Sequence, residues 1–238
     1  MRKFGLGLAT GLVISSFLRN IKTQKYNQDR IALYYERRAS SYQATDSVVA
    51  LGGIAPRVQM RLQLLDQMQL RPGDHVLDVA CGTGSNFEYI MERIGPTGRL
   101  VATDYSQPML DEAQLLVERH GWQNVKLIQS DAATLTLDEM FDAVMCTLGL
   151  VVIPNHEEAM ERMWEHLKPG GIYGISDLCE SQRWYMQPLN FLMNFTDATL
   201  ITDTTRRPWE WLEERADNYE RKELILGYMY TAVGYKPA

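Results

Sequence analysis

The sequence predicts an α/β fold, a doubly wound and mostly parallel sheet, and three observations carry that expectation. Residues 75–86, HVLDVACGTGSN, read as a buried strand entering a glycine-rich turn and then a helix. Beyond them, apolar runs of strand length alternate with stretches of helical period. Near the C-terminus two alternating runs meet at Gly227, the pattern of an antiparallel pair at a sheet edge.

The glycine turn makes a nucleotide-binding corner. Gly82 and Gly84 let the chain turn tightly and approach a ligand with no side chain between them, and the following helix points N–H groups at the same place. A dinucleotide fingerprint needs a third glycine three residues after the second, and Phe87 holds that position, so a ligand without a pyrophosphate fits better. At DVACGTG, residues 78–84, the chain resembles the class I S-adenosylmethionine-dependent methyltransferase family, and the resemblance runs from Tyr34 to the C-terminus. It implies a Rossmann-like, mostly parallel seven-stranded sheet with an antiparallel C-terminal edge, and S-adenosyl-L-methionine as cofactor. Around the turn it assigns Asp78, Ala80, Cys81, Gly82, Thr83, Gly84 and Asn86 to that cofactor. After the second strand it adds Tyr105, Ser106 and Met109.

The remaining elements follow in order. Residues 87–94 carry apolar side chains at helical spacing and stop at the Gly95, Pro96, Gly98 cluster. Residues 99–104 form a second strand ending in Asp104, about twenty residues past the turn, where such folds set a carboxylate against ribose hydroxyls. The alternative for Asp104 is a cap on the next helix. That helix starts at Ser106 or Gln107, takes Pro108 in its first turn and ends at His120 and Gly121. A third strand, residues 125–132, ends at Asp131 and Ala132. The pair resembles the family's adenine-recognition motif, Asp131 accepting from the exocyclic amine and Ala132 offering its N–H, while a turn-forming Asp reads the same in sequence.

Residues 141–150 are a fourth strand and turn, with Thr147 and Leu148 at the carboxyl end facing cofactor or acceptor. A helix over 156–167 leads to LKPGG, residues 167–171, which resembles a family signature and reads as a tight turn into a fifth strand at 172–177. Residues 180–218 gather Trp184, Tyr185, Met186, Phe191, Met193, Phe195, Trp209 and Trp211. This insert either covers the acceptor site or packs a helix on the sheet. Residues 221–226 and 228–235 are the closing strands.

Bulk properties narrow the partners. A chain of 238 residues, 45% hydrophobic and 23% charged, suits one domain with modest appendages. Its net charge of −6 argues against a nucleic acid partner held by a general positive field. Cys81, Cys146 and Cys179 are scattered and odd in number, which fits reduced packing residues in a cytosolic compartment, and neither they nor the four histidines show metal-ligand spacing. Residues 1–30 read as a hydrophobic anchor and basic linker ahead of a methyltransferase domain at 31–238. Within that anchor, residues 4–18 form an uncharged, largely apolar run, shorter than the ~20 residues that usually span a bilayer. Basic residues Arg19, Lys22, Lys25, Arg30, Arg37 and Arg38 follow it, so the positive-inside rule places a membrane-anchored main domain on the cytoplasmic side. The alternative is a short helix capping a cytoplasmic domain.

Methyl transfer from a sulfonium is an in-line displacement that requires positioning and exclusion of water rather than a catalytic dyad. No Ser-His-acid arrangement is recognisable, and His75, His120, His156 and His166 fall at element ends. His156 is either a base for an oxygen or thiol acceptor or a structural residue at a helix start. Residues 34–42, within lid helices at 31–70, resemble the lid of quinone, sterol and phospholipid methyltransferases. Tyr34, Tyr35 or Tyr42 then closes over the cofactor, with Arg37 and Arg38 on lipid phosphates, or the tyrosines are simply exposed on a basic helix. Tyr42, Thr147 and His156 are the positioning candidates. Together with residues 206–209, RRPW, these features favour a small-molecule or lipid acceptor that is hydrophobic or amphiphilic, a phospholipid amine first. A small soluble nucleophile and a catalytically silent binding module are the alternatives.

Overall fold

The computed structural model describes residues 56–193 and 202–238. The expectations for the anchor at 4–18, for Tyr34, Tyr35, Arg37, Arg38 and Tyr42, and for Phe195 lie outside the described residues. The chain runs α1 (Pro56–Met68), β1 (His75–Val79), α2 (Phe87–Ile94), β2 (Arg99–Asp104), α3 (Gln107–His120), β3 (Val125–Gln129), β4 (Phe141–Thr147), α4 (His156–Glu165) and β5 (Leu167–Leu178). It continues through α5 (Gln187–Met193), α6 (Pro208–Glu213), β6 (Asp217–Leu224) and β7 (Met229–Tyr235). Among the described residues no helix is long and apolar enough to cross a membrane.

The seven strands lie in the order β3-β2-β1-β4-β5-β7-β6. The first five are parallel, and β7 runs antiparallel to both β5 and β6. Strand order reverses between β1 and β4, and there the strands' carboxyl ends open a crevice. The central strands are almost continuously apolar because both faces are covered. One face packs Leu64, Leu65 and Met68 of α1, Ile90 and Ile94 of α2 and Leu110 and Ala113 of α3 over Val76, Leu100 and Ala102. The other packs Met160 and Met163 of α4 and Trp209 and Leu212 of α6 over Leu77, Val144, Tyr173 and Tyr230. Each fully buried side chain of this size contributes about 1.5–3 kcal/mol, so the two layers rather than helix propensity hold the helices.

Several boundaries differ from the sequence expectation. β3 stops at Gln129 rather than running to 132, because Asp131 leaves the sheet to cap the turn Ala132–Thr134. LKPGG is not a turn ahead of β5 but part of it: Phe141 pairs with Leu167 and Ala143 with Ile172, and the register shift between them is absorbed at Gly170, whose φ is +73°. β6 begins at Asp217 rather than at 221, because Asp217 and Glu220 already pair with Tyr235 and Val233 of β7. α4 ends at Glu165 because His166 is fixed: its Nδ1–H donates to Arg162 O at 2.6 Å and its Nε2 accepts from the Leu137 N–H at 2.8 Å.

Candidate active site

A cleft opens at the switch point between β1 and β4. Its donor side is built by backbone geometry that the sequence imposes locally. Directly after β1, Ala80 is held at φ +56°, and Gly82 at φ +57° turns the chain so that its N–H meets Asp104 Oδ2 at 2.8 Å. The Ser106 N–H donates to Asp104 Oδ1 at 2.9 Å. Burial raises the Asp104 pKa against the pull of those N–H groups. The carboxylate is thus aimed into the cleft by two fixed donors, and its lone pairs suit a ribose diol. Asp104 is not itself the N-cap of α3, a position held by Ser106, but the bond from the Ser106 N–H ties its carboxylate to the start of that helix.

Asp131 behaves the same way. Its Oδ1 accepts from the Ala133 N–H at 2.9 Å, capping a single 3₁₀ turn, Ala132–Thr134, while Asp131 and Ala132 line the cleft. Ala80, Cys81, Gly82, Thr83, Asn86, Tyr105, Ser106, Met109, Thr147 and Leu148 also line it.

Two assigned cofactor contacts lie behind the wall instead. Asp78 is wholly buried and absent from the lining; burial pushes its carboxyl up to about 7, against the Asn86 hydrogen bond and the Arg61 charge. It acts through Asn86, whose Nδ2 donates to Asp78 Oδ2 at 3.0 Å and to Thr147 Oγ1 at 2.9 Å, tying the ends of β1, α2 and β4 together. Gly84, at φ +83°, serves packing: a Cβ there would stand 2.7 Å from the Phe87 ring. The residue that excludes a dinucleotide turn thereby requires the glycine before it.

The other side is the loop after β4. Leu148 at φ +57° leaves the strand with its N–H donating to Ser176 O at 2.8 Å. A Cβ on Gly149 would lie 2.6 Å from Cys146 Sγ and 2.8 Å from the Ala80 methyl, so the exits of β1 and β4 approach closely only because Gly149 is bare. Buried Asp177 accepts from the Val151 N–H at 2.9 Å and the Leu178 N–H at 2.8 Å. Arg206 Nη1 donates to the carbonyls of Leu150 and Ile153, both at 2.5 Å, and its Nε stands 3.5 Å from Asp203 Oδ2. The loop presents Leu148, Val152, Ile153 and Pro154 to the cleft.

Arg206 is therefore turned inward as a loop clamp rather than outward as a lipid contact, because the bare carbonyls of a tight loop need a multivalent donor. Its neighbours are equally occupied. Arg207 pairs with Glu210 at 3.2 Å, and Trp209 is core beneath Arg221. Trp211 packs edge-on to Trp164. Trp184 and Tyr185 are exposed and outside the cleft lining. Half-buried His156 does not line the cleft, and burial and the nearby Arg206 charge lower its pKa, a poor setting for a cationic switch. All three cysteines are free and buried.

Sequence reasoning missed Arg61, Ser85, Thr103, Ser130, Gly149, Val152, Ile153 and Pro154 in the lining. Gly149 and Pro154 carried a turn signal. Arg61 carried none, since it comes from α1 and is brought over the sheet by tertiary packing.

The sheet and cleft define a Rossmann-like domain with fixed carboxylates on one side of the cleft and an apolar wall opposite. The family described as a methyltransferase domain matches residues 76–171, the core of that architecture. The protein is a class I S-adenosylmethionine-dependent methyltransferase, with S-adenosyl-L-methionine as its cofactor. It is similar to a demethylmenaquinone methyltransferase of Geobacillus stearothermophilus, 26% identical over 87% of this chain and 89% of the relative. A demethylmenaquinone methyltransferase of Anoxybacillus flavithermus is 24% identical over 90% of this chain and 98% of its own. A SAM-dependent methyltransferase structure from Aquifex aeolicus superposes with a TM-score of 0.59 at 20% identity, covering 75% of this chain and 92% of that one, and shares the fold.

Proposed function

We propose that this enzyme methylates a lipophilic quinone of the demethylmenaquinone type, and that the apolar run at 4–18 tethers it to the membrane holding that acceptor. The observation that carries the reading is the near full-length similarity to two demethylmenaquinone methyltransferases, which extends well beyond the matched domain core. The apolar wall of Leu148, Val152, Ile153 and Pro154 supports it, since a flat hydrophobic ring gains most from such a surface. This displaces the phospholipid amine favoured by sequence alone.

The cofactor supplies an electrophilic methyl group on a sulfonium. The chain's task is then to hold and to shield. Asp104 and Asp131 fix the nucleoside end, Asn86 holds the exits of β1 and β4 in register, and the clamped loop presents its apolar side chains to the acceptor face. Among the described lining residues there is no histidine, lysine or nucleophile-base pair, in keeping with catalysis by positioning.

The test is labelled-methyl transfer into four separate acceptor pools: reduced demethylated naphthoquinone, quinone-free phospholipid, total lipid and soluble metabolites. Label concentrated in the quinone is the expected result. Label in phospholipid or in the soluble pool, with the quinone blank, overturns the proposal in favour of that acceptor.

A further inference from the structure

The turn between β6 and β7 is built against the preference of its residues. Ile225 and Leu226 stand at φ +48° and +57°, ahead of Gly227 at φ +88°. A hairpin turn with successive left-handed residues ordinarily takes asparagine and glycine, and a β-branched residue there is strained. Packing does not explain the choice, because the two side chains are 47% and 53% exposed. The strain holds two aliphatic side chains in the open.

A second apolar group is fastened beside them. Trp184 and Tyr185, in a 3₁₀ turn after β5, and Leu189 of α5 are also exposed. Ser181 joins the two groups: its Oγ donates to Leu226 O at 2.6 Å, and its carbonyl accepts from Asn190 Nδ2 at 2.9 Å. Glu223, beside the turn, is engaged by Arg183 at 3.7 Å and Arg221 at 3.1 Å, so two guanidiniums outweigh the one carboxylate they share. Aliphatic tips, a tryptophan, a tyrosine and a surplus of cation together suit the headgroup zone of an anionic bilayer.

The patch lies at the mouth of the cleft. Met229 pairs with Leu178 at the close of β5 and with Leu224 at the close of β6, which puts the turn at the end of the sheet where the cleft opens. Leu224 and Met229 pack with Met60 of α1, and Leu148 and Leu178 close on that cluster. Leu148 also lines the cleft, so the cluster ties the turn to the acceptor wall. α1 starts at Pro56, one turn ahead of Met60, so the chain that carries the apolar run at 4–18 joins the described structure at this same rim.

We propose that the Ile225-Leu226 turn, with Trp184, Tyr185 and Leu189, is the face by which the enzyme sits on an anionic bilayer, opening the cleft toward the membrane so that a lipophilic acceptor reaches it without crossing water. This face rests on the membrane-held acceptor proposed above. It adds a second contact to the run at 4–18, and so fixes orientation where a tether alone fixes only distance.

The test is hydrogen–deuterium exchange on the full chain, in buffer and on vesicles of equimolar phosphatidylcholine and phosphatidylglycerol. Exchange over residues 181–189 and 224–228 is expected to slow at least about threefold on vesicles, while residues 121–124, at the opposite end of the sheet, stay unchanged. In the Ile225→Asn, Leu226→Gly pair the turn receives residues that favour its shape, so the melting temperature should not fall. The slowing should nevertheless be lost, although the chain still sediments with vesicles through 4–18. For this pair, kcat/KM toward a demethylated naphthoquinone carried in the vesicles should drop at least about tenfold, and toward a short-chain soluble analogue less than about twofold. Should the pair fail to fold, Trp184→Ser, at an exposed position, must show the same loss of slowing. A vesicle-bound wild type with unchanged exchange in both segments, or slowing retained in the pair, overturns the docking face and leaves the tether standing. A wild type that does not sediment overturns both. Slowing that appears without vesicles as protein concentration rises assigns the patch to a second copy of the chain and overturns the bilayer. Slowing on vesicles with no label reaching the quinone supports the docking face and brings down the acceptor reading alone.

Discussion

The two sides of the cleft are made by different means. The donor side is local: the turn between β1 and α2, and the first residues past β2 and β3, orient Asp104 and Asp131 through N–H groups no more than two residues away, or across to the neighbouring turn at Gly82. The acceptor side is held from a distance. The loop after β4 takes its shape from Asp177 on β5 and from Arg206, more than fifty residues further along the chain. A site whose shape comes from short-range bonds keeps its form when remote packing changes, whereas a loop braced by remote polar groups changes with each of them.

Substitutions on the two sides should therefore separate. The largest effect is expected for Asp104→Ala, which removes the acceptor for the ribose diol and leaves the Gly82 N–H without its carboxylate. S-adenosylhomocysteine affinity should fall about 100-fold by calorimetry, from hydrogen bonds to a charged group worth about 1.5–3 kcal/mol each. Unchanged affinity would sink the ribose assignment. Next comes Gly84→Ala, whose methyl must displace the Phe87 ring at a backbone angle that disfavours any side chain. Denaturant unfolding should show a loss of about 2–3 kcal/mol. Recovery in a Gly84→Ala, Phe87→Leu pair would assign the loss to that contact.

Arg206→Met tests the far side. Stability should fall by about 1–3 kcal/mol as two loop carbonyls lose a charged donor. KM for the acceptor should rise while S-adenosylhomocysteine affinity stays within about threefold. A donor loss as large as that of Asp104→Ala would show that the sides are not separable.

Asp177 gives a pH signature. Burial pushes its carboxyl to about 7 despite the Leu178 and Val151 N–H groups, compared with 3.8 for a free side chain. The folded chain thus keeps a proton that the unfolded chain has released. Its contribution is complete below pH 4 and is lost as pH rises toward 7. Asp78 has the same sign. Asp177→Asn should flatten the fall of stability across that window by up to one proton, about 1.4 kcal/mol per pH unit, in melts taken from pH 4 to 8. An unchanged slope would place the titration elsewhere. The smallest effect is expected for Ala80→Gly, which relieves a left-handed φ of +56° and should stabilise the fold by about 0.5–1 kcal/mol in the same unfolding assay.

The same division explains what could be read from the sequence. Strand-turn-helix units and an acid at a strand end are short-range patterns, so Gly82, Asp104 and Asp131 were visible together with the sheet they terminate. Their capping and ligand readings were not separable in sequence because a carboxylate held by backbone N–H groups at the rim of the cleft is compatible with both. Arg206 looked like a surface cation in an RRPW cluster, and only the fold brings it beneath Leu150 and Ile153. Arg61 was silent for the same reason. The bulge within LKPGG was misplaced because glycine and proline announce a change of direction without saying whether pairing continues through it.

The tryptophans have an optical consequence. None of the five lines the donor cleft. Trp164 and Trp211 sit against Tyr173, with Lys236 and Arg215 over their rings, and Trp209 lies under Arg221. Their emission should thus barely respond to S-adenosylhomocysteine. Trp184, 83% exposed, is the ring that a contacting lipid surface or partner would shift to the blue and shield from acrylamide. One intrinsic fluorophore thus reports docking at the outer rim, independent of occupancy of the donor pocket.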